Sequence, residues 1–151
     1  VPGGVWGRCG GGGGGGVVGL GRGRGALGRW GGWVGGGPGG AAVVRLSLAR
    51  GSPQRLSGMT TIADGLAAPF AGAIPFAHVT ALGLEIVTVP EEAIVEALWL
   101  LIERCKVVPE PAACVGLAAL ISGAVTVERG ARTVILFTGG NVGRQRLGSL
   151  A

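Results

Sequence analysis

Seven consecutive glycines at positions 10–16, within GRCGGGGGGGVVGL, constrain this chain more than any other feature. Residues without a Cβ lose the most backbone freedom on ordering, so such a run supports neither a helix nor a strand by itself. Two outcomes are open. The run is either a low-complexity tract of no fixed shape, or a loop whose successive N–H groups close around an anion.

The glycines are unevenly placed: residues 1–40 hold 22 of the 34. From Ala41 onward Ala, Val, Leu and Ile dominate. Composition therefore divides the chain into a glycine/arginine-rich segment, 1–40, expected to be poorly ordered, and an α/β unit, 41–151. Charge breaks nearby. Seven arginines and no acid precede Met59, while six basic and eight acidic residues follow, so the net charge of +5 belongs to the first third.

An arginine-glycine segment that binds nucleic acid, fused to a remnant domain, is one reading of that asymmetry, and Trp6, Trp30 and Trp33 would be its stacking residues. Arginine scattered among glycine is also what GC-rich coding sequence produces, and we favour this plainer account. A translated fragment without function is a third reading. Cys9, Cys105 and Cys114 are odd in number and lack CxxC spacing, which argues against a disulfide framework or a zinc site and for a reducing, cytoplasmic setting. The chain starts without Met and without the charged-then-apolar order of a signal peptide, so a piece of a longer reading frame is expected. Gly65 to Leu84 is uncharged, yet Pro69, Pro75, three glycines and His78 make it poor material for a membrane span.

Ala41 to Arg50 has helical composition, and GSPQRLSG after it is a turn-rich connector. Pro75 to Leu82 suits a short helix and EIVTV at 85–89 a buried strand. Pro90 is expected at a first helical position with Glu91 and Glu92 where the helix dipole favours anions, and Ile94, Leu98, Leu101 and Ile102 recur on one face as far as Lys106. A second helix starts at Glu110-Pro111 and ends at Gly123. RTVILF at 132–137 predicts a central parallel strand covered on both faces, and TGGN follows it directly. These elements predict an α/β fold with an open, mostly parallel sheet and flanking helices, its ligand chemistry at the carboxyl ends of strands.

Four stretches occur in one order: the glycine run, Thr61-Ile62-Ala63-Asp64-Gly65, the Glu103-Arg104-Cys105-Lys106 to Glu110-Pro111-Ala112 region, and Thr138-Gly139-Gly140-Asn141. Together they resemble the threonine/serine dehydratase and serine racemase family of pyridoxal-phosphate enzymes, whose fold is called type II. The similarity is close from Ala41 to Val142 and corresponds to the latter part of such an enzyme's large domain. The resemblance implies pyridoxal 5'-phosphate as cofactor, a hydroxy amino acid as substrate, and release of a 2-keto acid and ammonia by the full-length relative. No membrane partner is expected and a nucleic-acid partner is not favoured; a homo-oligomer stays open.

The same resemblance assigns roles residue by residue. Gly13, Gly14, Gly15 and Gly16 align with a tetraglycine phosphate loop that a helix follows. Gly65 lies where relatives pack bare backbone against the ring, and Glu110 matches a carboxylate near the cofactor. Thr138 replaces a Ser whose hydroxyl meets the pyridine nitrogen, with Gly139 and Gly140 forming the turn after it. Asp64 braces its own loop, and Cys114 stands where relatives prefer glycine. The divalent-metal positions of some relatives fall on Gly37-Pro38, Ala41 and Val43, which offer no carboxylate, so no metal is expected. Lys106, the only lysine, does not align with the Schiff-base lysine, so no catalytic residue is assigned and the chain alone is expected to be inactive. His78 is read as a helix-surface residue.

Overall fold

The computed structural model describes residues 18–23 and 30–151, with side chains from residue 34 onward except Arg132. The predicted glycine loop at Gly13–Gly16 lies outside the described residues. Immediately after it, Val18–Gly23 forms strand β1, and Trp30–Pro38 forms β2. The resemblance puts a helix after the glycine run, but six residues of alternating glycine are poor helix formers, and their backbone pairs laterally instead.

A turn of 3₁₀ helix at Gly39–Ala41 leads into α1, Val43–Arg50, which ends on Gly51 in the left-handed region at φ 68°. Helix α1 is tied to the connector by Ser47, which is buried: its Oγ donates to the Val43 carbonyl at 2.7 Å and accepts the Gln54 N–H at 2.9 Å. The chain continues through α2, Ala73–Ala81, to β3, Glu85–Val89. Helix α3 spans Glu91–Leu100 and widens into a π turn at Leu101–Cys105, capped by Lys106 at φ 58°. Pro90 stands one position earlier than expected, at the N-cap in extended conformation, which its fixed φ also suits. Helix α4, Pro111–Ile121, carries Pro111 in its first turn; strand β4, Arg132–Ile135, and a short α5, Arg144–Gly148, complete the order.

The strands form one open sheet in the order β3-β2-β1-β4. The expected α/β class with flanking helices holds, while the sheet itself is mixed: β2 and β3 run parallel, and β1 is antiparallel to both β2 and β4. Chain length accounts for the difference. The segment between β2 and β3 holds two helices, enough for a crossover, whereas only the six residues 24–29 separate β1 from β2, and so short a link returns a strand antiparallel.

The prediction of a central parallel strand at 132–137 is corrected on both counts. Strand β4 is an edge strand, antiparallel to β1, with Val134 54% exposed and Leu136 and Phe137 beyond its end also exposed. An apolar run records that a segment is hydrophobic but not what covers it.

The core lies between the sheet and helices α3 and α4, which pack on each other, with α4 also against β1, β2 and β3. Ile94 and Leu98 of α3 and Val115 of α4 are fully buried, each contributing roughly 1.5–3 kcal/mol by burial. Gly36 of β2 makes the close approach possible, because a Cβ there would stand 2.8 Å from Val115 Cγ1. Among the described residues no helix is long and apolar enough to cross a membrane.

Candidate cofactor site

Three segments far apart in sequence meet at Glu110. As N-cap of α4, Glu110 has extended backbone, and its side chain makes no capping bond to its own helix. That side chain reaches instead toward the turn after β4, where Glu110 Oε2 accepts the Asn141 N–H at 3.3 Å. The main chains join as well: Glu110 N–H donates to the Gly139 carbonyl at 3.1 Å. Gly139 has to be bare here. A Cβ at this position would overlap the Glu110 carboxylate, and one at Gly140 would lie 3.2 Å from the Val108 carbonyl.

Gly65 approaches the same carboxylate. A Cβ on it would come within 3.1 Å of Ala112 Cβ and 3.5 Å of Glu110 Oε1. The structure thus brings Gly65, Glu110 and Gly139 together around one half-buried carboxylate. Thr138, adjacent to Gly139, is exposed. The remaining predicted residues, Gly13 to Gly16, lie outside the described part.

The loop bearing Gly65 is held from several directions. Asp64 Oδ1 accepts the Gly65 N–H at 2.9 Å, the local brace expected of it. Glu91, in the first turn of α3, accepts the Ile62 N–H at 2.8 Å and the Thr61 hydroxyl at 3.0 Å through the same oxygen, Oε2. Thr61 Oγ1 in turn accepts the Ala63 N–H at 3.0 Å. From α5, Arg146 Nη2 donates to the Ile62 carbonyl at 3.3 Å. Neither Glu91 nor Arg146 stands out in the sequence as part of a site. Glu91 reads there as a dipole-compensating residue at a helix start, and Arg146 as one of several arginines.

Electrostatics around Glu110 reach one further group. Cys114, one turn into α4, has its thiol pushed up to about 12, first by burial and then by the negative charge of Glu110; its Sγ donates to the Glu110 carbonyl at 3.4 Å. It is a neutral thiol at physiological pH, inert as a nucleophile. The other singled-out residues lie elsewhere. His78 is exposed on α2 with Nδ1 2.9 Å from the Ile74 carbonyl, and Lys106 Nζ donates to the Glu103 carbonyl at 2.8 Å. Gly37, Pro38, Ala41 and Val43 line a cavity of about 20 Å³ together with Arg45 and Thr88, and no carboxylate among the described residues lines it.

Residues 8–139 match the family described as pyridoxal-phosphate dependent enzyme, and the chain belongs to that family. Over 96 residues it is 38% identical to an L-threonine ammonia-lyase of Thermotoga maritima, covering 64% of this chain and 23% of that protein. Among solved structures, serine racemase from Dictyostelium discoideum shares 30% identity at TM-score 0.59, over 70% of this chain and 34% of its own. The processed form of threonine deaminase isoform 2 from Solanum lycopersicum gives TM-score 0.68 and 26% identity over 78% of this chain and 34% of that one. The chain thus spans 23% to 34% of the length of these relatives.

A Cβ at Gly139 would overlap the Glu110 carboxylate and one at Gly65 would press on Ala112 Cβ, so the three segments approach this closely only because both positions are glycine.

Proposed function

We propose that this chain forms the cofactor-ring wall of a pyridoxal-phosphate-dependent ammonia-lyase acting on a hydroxy amino acid such as threonine or serine. The convergence of Gly65, Glu110 and Gly139 on one spot carries this reading, supported by relatives named for threonine. When bound, the cofactor supplies an electron sink for the pair left on a substrate carbon that loses its proton.

In this reading the chain's own residues bind and orient. Thr138 offers a hydroxyl to the ring nitrogen, a neutral partner that leaves the ring a moderated sink. Gly65 and Gly139 give the ring access to main chain, and Glu110 holds the Gly139–Asn141 turn in place through its two hydrogen bonds. Gly13 to Gly16 would supply N–H donors for the phosphate. Lys106 has its ammonium on the end of α3, so we expect the 151 residues alone to bind the cofactor without a covalent link and without turnover.

Titration of the full chain with pyridoxal phosphate, followed by tryptophan fluorescence, tests this. Saturable binding is expected, weakened about 5-fold in Thr138→Ala, as befits loss of one hydrogen bond of about 1 kcal/mol. Borohydride treatment is expected to leave the protein mass unchanged. Absence of saturable binding, or identical affinity in Thr138→Ala, would contradict the proposal.

A further inference from the structure

The turn carrying Gly65 has no regular secondary structure beyond a short 3₁₀ segment at Asp64–Leu66, yet it has to keep Gly65 within contact distance of Glu110 and Ala112. Its anchorage is concentrated on Ile62, whose N–H is taken by Glu91 of α3 and whose carbonyl is taken by the guanidinium of Arg146 on α5. From Ile62 the fixed geometry passes along the chain without a gap: Thr61 Oγ1 holds the Ala63 N–H, the Ala63 carbonyl accepts the Leu66 N–H at 2.8 Å, and Ala63 and Leu66 are both buried. Gly65 lies between them. We infer that Glu91 and Arg146 are positioning residues: opposite charges on two helices grip the two main-chain polar groups of Ile62 and thereby set Gly65 opposite Glu110.

Glu91 is the stronger member. Its Oε2 accepts two hydrogen bonds, one of them from a hydroxyl that is itself an acceptor, whereas its Oε1 is buried and makes no bond among the described residues. An amide in place of the carboxylate therefore keeps every bond that Glu91 makes. Arg146 acts from the helix that follows the Gly139 turn, so the same pair links the Gly65 loop to the segment that bears the other glycine.

The importance of this grip for ligand binding rests on the proposed cofactor role, but its mechanical part does not. Amide hydrogen exchange on the full chain, read residue by residue by NMR, measures the grip with no cofactor present. In Glu91→Ala the Ile62 and Ala63 amides are expected to exchange at least about 10-fold faster while Leu98 in the core keeps its protection, and pyridoxal phosphate binding is expected to weaken by a similar factor. Glu91→Gln is expected to stay within about 2-fold of the parent in both respects, a rescue that a general need for charge at the helix start would not give. Should Glu91→Ala fail to fold, Thr61→Val removes the hydroxyl's bonds to Glu91 and to the Ala63 N–H and leaves the Ile62–Glu91 bond: Ala63 should lose protection and Ile62 keep it. Unchanged exchange at Ile62 and Ala63 in Glu91→Ala, or equal damage from Gln and Ala, would overturn the inference. Faster exchange in a protein that binds no pyridoxal phosphate would uphold the grip and sink the cofactor role instead.

Discussion

At Gly139 a single missing methyl group decides whether the contact with Glu110 exists. An alanine Cβ would occupy the place of the Glu110 carboxylate, and the side chain would have to swing away and release the Asn141 N–H. Gly139→Ala is therefore expected to lose about 1–2 kcal/mol in urea denaturation, the cost of local overpacking and one forfeited charged hydrogen bond. Gly37→Ala, where nothing lies within 4 Å of the added methyl, should stay within about 0.5 kcal/mol of the parent. Equal losses in the two variants would mean that backbone entropy, rather than the contact with Glu110, governs Gly139. At this scale the sequence was legible through motif resemblance: Gly65, Glu110 and Gly139 were all singled out, and they meet. Glu91 and Arg146 were not read as part of the site. A hydrogen bond that links residues 29 or 84 positions apart leaves no local trace in spacing or composition.

Among the elements, the helices follow from local chemistry, whereas the glycine-rich strands follow from their neighbours. Helix α1 shows helical composition and a glycine end, and α3 and α4 show their periodicity and proline starts, so their positions could be read within a residue or two. Strand β2 is glycine at five of its nine positions, and α4 approaches its bare backbone at Gly36. Gly36→Val would drive a branched side chain into fully buried Val115 and should cost about 2–3 kcal/mol by thermal or urea unfolding. Adding Val115→Ala should recover part of that loss, as coupled neighbours do. Simple additivity of the two changes would show that α4 does not rest on β2 at this point. Pairing partners and edges were the part that could not be read: RTVILF looks the same whether it is a covered central strand or, as observed, an antiparallel edge.

For the whole molecule, the sheet and the α3–α4 layer serve to present three loops at one place. One loop follows β4, one precedes α4, and one is held between α3 and α5; their meeting point is the carboxylate of Glu110. Membership of the pyridoxal-phosphate dependent family supplies the ligand that such a meeting point suits, and the proposal that this chain provides one wall of its site is open to direct mapping. The most direct measurement is an NMR titration of the ¹⁵N-labelled full chain with pyridoxal phosphate. The account predicts that the amides of Gly65, Gly139 and Asn141 shift along one common saturation curve while those of α2, around His78, stay in place. Shifts confined to α2, or independent curves for Gly65 and Gly139, would contradict it.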